Sequence, residues 1–281
     1  MKKRFSLLVG ICLAALVSTG TAFASLAEEP YPLEYWALRA VINNVQISPN
    51  GDRLALMKIP SKTGNPIIEI YDASDLSKEP LPFNADPMEI TSFYWASNDD
   101  IVFNLRQKVR DKIEGFNQGV YEDRIATFDI KNKKFHKFDE SGPIIEHLLP
   151  NKSNKIIISF LEGDPDGPGA KLDATFRPRA YWEFDLDKGT KKLLIRGKIS
   201  LAAIEFDIDG NPWLARGFDL ANGEYIWYWR EPGAKKQRWE EIYRLSEEKF
   251  DTFIVEGLDE AMPGHILVRA NNGHDLSLIH I

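Results

Sequence analysis

Four short β-prone runs, separated by polar turns, recur four times along the chain and start again a fifth time. The first group reads "VQIS", "RLALMKI", "PIIEIYD" and "KEPLPF"; the second reads "ITSFYWA", "IVFNL", "RIATFDI" and "KFHKF". The third is "IIEHLL", "KIIISFL", "AYWEFDL" and "KKLLI", and the fourth "LAAIEF", "PWLARGF", "EYIWYWR" and "RWEEIY". "DTFIVEGL" and "HILVRA" open a fifth. Runs rich in Ile, Val, Phe, Tyr and Trp, broken by Asn, Asp, Gly and Pro, are the pattern of an all-β chain. The third run of a group closes on an aromatic followed by aspartate at Tyr71-Asp72, Phe128-Asp129 and Phe184-Asp185, and more loosely on Tyr228-Trp229. The aromatic suits a packed face between sheets. The aspartate opens the next turn by accepting from backbone N–H groups.

A four-stranded unit repeated at this length is the mark of a β-propeller, in which a blade buries its faces only against its neighbours. The expected fold is therefore all-β, a partial β-propeller of about four and a half four-stranded blades. An irregular β-sandwich is the alternative. In the run "YIWYWR", alternation puts Trp227 and Trp229 on one strand face and Tyr228 on the other. Two insertions interrupt the rhythm, Arg106–Asp123 and Glu162–Arg179, each between the second and third runs of its group. Loops at equivalent positions project from one propeller face and carry recognition more often than scaffold strands do. Arg106, Arg110, Arg124, Arg177 and Arg179 are the candidate substrate-binding residues, as cations able to meet a carboxylate; each also reads as a solvated loop arginine.

The N-terminus has the order of a secretory leader: "MKKR", the apolar run "LLVGICLAALV", and Ala22-Phe23-Ala24 as the cleavage site. Residues 1–24 are predicted to be a signal peptide removed after Ala24, giving a secreted, periplasmic product. Residues 25–44 form an N-terminal segment whose "PLEYWALRAVINN" predicts a short helix, and 45–275 form the incomplete propeller. Cleavage removes Cys12, the single cysteine, so no disulfide is available to the mature chain. It also leaves 32 basic residues against 42 acidic ones, a net charge of −10. An acidic chain without a basic cluster argues against nucleic acid or an anionic membrane as partner.

Candidate chemistry is sparse. No Gly-x-Ser-x-Gly occurs, so no catalytic residue is assigned within this chain. His136, His147, His265 and His274 fall on strands, strand ends or turns and read as packed or solvated side chains. "EFDIDGN" places Glu205, Asp207, Asp209 and Gly210 at the first positions of a calcium loop, but Arg216 stands where the closing glutamate belongs. Its Asp-Gly reads instead as a hairpin turn. Asp164 and Asp166 sit in a flexible Gly/Pro-rich stretch, and no zinc spacing occurs; no metal or cofactor is expected.

The stretch "YWALRAVINNVQISPNGDRLALMKI", Tyr35 to Ile59, resembles the first blade of prolyl oligopeptidase-type serine peptidases, of the secreted dipeptidyl aminopeptidase and acylaminoacyl-peptidase branch. Helix, Ile/Val-rich strand and "SPNG" carry the likeness, with Asn50 in place of the usual aspartate. It continues through blade pattern alone to about Ala270. The resemblance implies that a C-terminal α/β-hydrolase domain with a Ser-Asp-His triad lies beyond this chain, and that the propeller gates and positions short peptide substrates for it. The alternative is a non-catalytic periplasmic propeller that binds a protein or small ligand. "LSLIHI", Leu276–Ile281, back-translates to CTG TCT CTT ATA CAC ATC, the mosaic end used in transposase-based sequencing libraries. Residues 276–281 are therefore expected to be a non-native tail, His280 is given no role, and the natural chain is expected to continue after Asp275.

Overall fold

The computed structural model describes residues 40–61, 64–110, 119–140, 142–152, 154–161, 178–233, 238–246, 251–259, 261–262, 264–271 and the backbone of 278–280. The chain divides into two units, Met1–Val41 and Ile42–Ile281; of the first, only Ala40 and Val41 are described. The second is all-β. Its strands are β1 (Ile42–Ile47), β2 (Arg53–Lys58), β3 (Ile67–Asp72) and β4 (Leu81–Phe83), then β5 (Glu89–Trp95), β6 (Asp100–Arg110), β7 (Val120–Asp129) and β8 (Lys134–Lys137). There follow β9 (Ile144–His147), β10 (Lys155–Leu161), β11 (Arg179–Asp185) and β12 (Thr190–Arg196), then β13 (Ala203–Phe206), β14 (Pro212–Asp219), β15 (Glu224–Trp229) and β16 (Glu240–Ser246). The last are β17 (Phe253–Leu258), β18 (Ile266–Ala270) and β19 (Leu278–His280). Each successive group forms one antiparallel meander: four sheets of four strands and a fifth of three. The predicted groups are the sheets.

Packing joins each sheet to the next. Phe83 of the first sheet stacks on Phe103 and Phe128 of the second at 4.9 and 4.6 Å, among Ala55, Ile68, Phe93 and Leu105. The opposite face of the second sheet puts Val102 and Ile125 against Ile156, Ile158 and Phe184 of the third. Ile157 and Tyr181 then face Ile204, Phe206 and Ala215 of the fourth. Tyr228 joins that third-to-fourth core, while Trp227 points the other way and meets Phe253 of the fifth sheet at 5.3 Å. Period-2 alternation thus supplies every inner sheet with two apolar faces. Each fully buried Phe or Ile contributes roughly 1.5–3 kcal/mol. Sheets stacked in series, each an internal meander, are blades of a propeller.

Within a blade the first strand is innermost. Gln46 Nε2 and Asn44 Nδ2 donate to Phe93 O at 2.8 and 3.3 Å, and Trp95 Nε1 donates to Gln46 O at 3.4 Å, so β1 touches β5 directly. Fourth strands lie outermost, and every residue of β8 is exposed. The aspartates after the third strands do what the sequence predicts. Asp72, Asp129 and Asp185 accept from the backbone N–H of Ser74, Asn132 and Asp187 at 2.9–3.1 Å.

Several expectations are corrected. Ile42–Asn44, placed at the end of a predicted helix, belong to β1. A register shift between Asn43 and Gln46, with Asn44 at φ 47°, makes this a bulged strand, a conformation asparagine tolerates. Ala40 and Val41, also within that predicted helix, are irregular backbone; its residues 32–39, and the predicted signal peptide and its cleavage site, lie outside the described residues. The insertion at Arg106–Asp123 is shorter than expected, because β6 and β7 stay paired as far as Arg110 and Val120. Charged residues alternating along an exposed hairpin read as loop when packing does not mark them. Arg179 is likewise a strand residue, opposite Leu161. Within the expected non-native tail, Leu278–His280 pair with β18, His280 opposite Val268, which leaves that expectation about the tail's origin as it stands. An open antiparallel edge accepts any extended segment through its backbone, whatever the segment's side chains.

Candidate functional site

The turns that join first to second strands gather at the inner end of the blades. Pro49, Ser97, Asn98, Pro150, Asn151 and Ile208 come from four such turns, and with Tyr94, Trp95, Ile145, Glu146, His147 and Leu148 they line a cavity of about 870 Å³. Its sides are the facing edges of β5 and β9. Links between turns hold the rim. Asn50 N–H donates to Asn98 Oδ1 at 3.0 Å, and Arg53 Nη1 binds Asn98 O at 2.5 Å and Asp99 Oδ1 at 2.7 Å. On the other side, Asn151 Nδ2 donates to Asp209 Oδ1 at 3.0 Å.

Glu146 is the one carboxylate among the described lining residues, and none of them is Lys or Arg. Its Oε1 accepts a hydrogen bond from the fully buried Ser159 hydroxyl on β10. Arg179 on β11 donates from Nε to Ser159 Oγ at 2.7 Å and from Nη2 to Ser159 O at 2.8 Å, and stands 3.9 Å from Glu146 Oε1. The three strands thus share one polar chain that fixes the Glu146 side chain, which remains a quarter exposed. Burial depresses the Arg179 pKa, and Glu146 acts in the opposite sense.

His147 sits beside it at the end of β9, half-buried. Its Nδ1 accepts the Leu149 N–H at 3.0 Å, so this nitrogen carries no proton in that contact. Leu149 adopts φ 49° and is fully buried in the third-to-fourth core. Burial pushes the His147 pKa down, against the opposing pull of Asp207. The wall therefore combines a fixed carboxylate, a neutral imidazole, carboxamides and two aromatic rings. Such a set can bind and orient a ligand.

The predicted site residues separate. Arg106 pairs with Asp123 across the β6–β7 ladder at 3.4 Å, and Arg124 pairs with Glu122 and donates to Asp139 O at 2.8 Å. Arg110 is exposed at the end of β6. Arg177, like Asp164, Asp166 and His274, lies outside the described residues. Arg179 alone reaches the cavity wall, through Ser159 and Glu146. Sequence reasoning missed Glu146, Asn98 and Asn151. A common place at blade turns was the available sign for the two asparagines, which stand at equivalent positions of successive turns. His136 is exposed on β8, and His265 precedes β18. The calcium-like loop is a hairpin turn, with Asp207 accepting from Asp209 and Asn211 N–H at 3.0 and 2.7 Å and Gly210 at φ 81°. Among the described residues, no group of His, Cys, Asp or Glu is placed to hold a metal ion.

No family model matches the chain, and no curated protein matches it. Solved structures do. A prolyl endopeptidase superposes with a TM-score of 0.55 at 12% identity, over 85% of this chain and 34% of that one. The acylaminoacyl peptidase of Pyrococcus horikoshii gives 0.49 at 14% identity, over 84% and 38%. The β-propeller domain of the trilobed protease from Pyrococcus furiosus gives 0.37 at 13%, over 70% and 58%. The chain spans little more than a third of the length of the first two. At such identity the prolyl endopeptidase likeness speaks for the fold, and together with five sheets packed in series it makes this chain a β-propeller.

Proposed function

We propose that the chain is the propeller portion of a secreted serine peptidase, which gates and positions short peptides for an α/β-hydrolase domain C-terminal to it. The leader sequence places the product in a periplasm, with Ala24 the last residue removed. The observation that carries the reading is the cavity of about 870 Å³ at the inner end of the blades, with its fixed polar groups and aromatic wall. A space of that size admits a few residues of extended peptide and excludes a folded domain. The first-blade resemblance at Tyr35–Ile59 and the fold shared with a prolyl endopeptidase support the same assignment. The acyl-enzyme chemistry, and the nucleophile, base and orienting acid it needs, belong to the hydrolase domain.

The test is to express the complete gene and treat its product with a serine-directed fluorophosphonate probe, then with peptides of graded length. Labelling, and cleavage that falls steeply as the peptide lengthens or folds, is the expected result. A complete reading frame that closes its propeller without a Gly-x-Ser-x-Gly elbow contradicts the peptidase and leaves a periplasmic binding propeller.

A further inference from the structure

The cavity's charge and lining select among peptides. We infer that it takes the side chain of a basic residue, a guanidinium or alkylammonium group on an aliphatic stem, with Glu146 as the counter-ion; that the ligand is a peptide rests on the function proposed above.

Three observations converge. The carboxylate is oriented in advance, because Ser159 donates to Oε1 and Arg179 in turn holds Ser159 with two bonds of 2.7 and 2.8 Å. Arg179 gives Nε and Nη2 to Ser159 and pairs with the carboxylate only at 3.9 Å, through Oε1, and Oε2 of Glu146 has no partner among the described residues. A group fixed this way loses little entropy when a ligand binds. Second, no Lys or Arg lines the cavity among the described residues. The nearby cations are engaged elsewhere: Arg53 with Asp99 at 2.7 Å and Lys152 with Glu183 at 2.9 Å. Arg179, behind the wall, is the one cation among the described residues within 4 Å of the carboxylate, and it reaches Oε1 alone; His147 holds its Nδ1 as an acceptor. Third, the remaining wall fits the stem and the face of such a ligand. Ile145, Leu148, Pro150 and Ile208 offer apolar surface to methylenes. Tyr94, partly exposed, offers a ring to the cation, whereas Trp95 is buried in the core of the first two blades. A free peptide amino terminus has the charge but no stem to occupy that apolar surface.

The full chain is titrated calorimetrically at low ionic strength with three probes. N-acetyl-arginine amide carries the guanidinium without a terminal charge, N-acetyl-citrulline amide is its neutral isostere, and glycinamide presents only a terminal amine. Binding of the arginine probe about tenfold or more tighter than the citrulline probe is expected, the usual effect of one charge-assisted contact in a partly desolvated site. Glu146→Gln should remove that preference, with the unfolding midpoint checked against the parent. Equal binding of arginine and citrulline probes by the parent protein overturns the proposal, as does glycinamide matching the arginine probe or Glu146→Gln retaining the preference. None of these readings depends on hydrolysis, so loss of the peptidase assignment and loss of the basic-side-chain site are told apart.

Discussion

Protonation of His147 at Nδ1 removes the acceptor that the Leu149 N–H uses at 3.0 Å, in a turn already held at φ 49°. Burial lowers the folded-state pKa below the ordinary value of 6.5, with Asp207 opposing. The sign follows from linkage: the neutral form is favoured by folding, so the contribution is complete above the ordinary value and is lost as pH falls through the lower folded one. Stability should therefore begin to decline as pH falls below the ordinary histidine value of about 6.5, before most carboxylates titrate. His147→Asn keeps an acceptor without the titration and should flatten that decline; urea midpoints across the range check it, and an unchanged slope would exclude His147 as the source. Tyr181 gives a second test at this scale. Its buried hydroxyl accepts the Ile204 N–H and donates to Ala202 O, both at 3.1 Å, linking third and fourth blades. Tyr181→Phe leaves a buried N–H without its acceptor and should cost about 1–3 kcal/mol by urea unfolding.

Turns and strands show where local chemistry rules and where packing does. β14 passes so close to the Lys198–Leu201 turn that a Cβ on Gly217 would lie 2.1 Å from Ser200 C and 2.2 Å from its O. Backbone cannot yield as a flexible side chain does, so Gly217→Ala should destabilise by about 1–3 kcal/mol, read from the urea midpoint at constant slope. Arg244 ties the fourth blade's outer hairpins together, bonding Asp219 at 2.9 Å, Glu224 at 2.8 Å and Glu241 at 2.9 Å. The Arg244 bond, with help from Asn222, holds the Asp219 pKa down to about 2. A depressed carboxylate stabilises above its unfolded pKa and loses that effect on acidification. Arg244→Gln should accordingly lower stability at neutral pH and lessen the loss towards acid, which a pH series of unfolding midpoints resolves. The strand order and the Asp-opened turns were legible because alternation and backbone capping act over a few residues. The ends of β6 and β7 were not, since Arg106, Lys108 and Arg110 are held by an exposed ladder without any apolar face to mark it. The cavity was hidden for a different reason. Asn98 and Asn151 come from separate blades and meet one space only once the second and third sheets stack.

The blades behave as a series in which each depends on its neighbours, so coupling should reach one sheet and no further. Phe206 of the fourth blade lies 5.4 Å from Tyr181 of the third, whereas Phe83 belongs to the core between the first and second. A double-mutant cycle on these three positions, each changed to Leu singly and in pairs, tests the series directly. Tyr181 and Phe206 should couple by about 0.5–1.5 kcal/mol, as facing rings do. Phe83 and Phe206 should be additive within about 0.3–0.5 kcal/mol. A Phe83–Phe206 coupling as large as the neighbouring pair's would place the first and fourth sheets face to face, and would contradict a propeller.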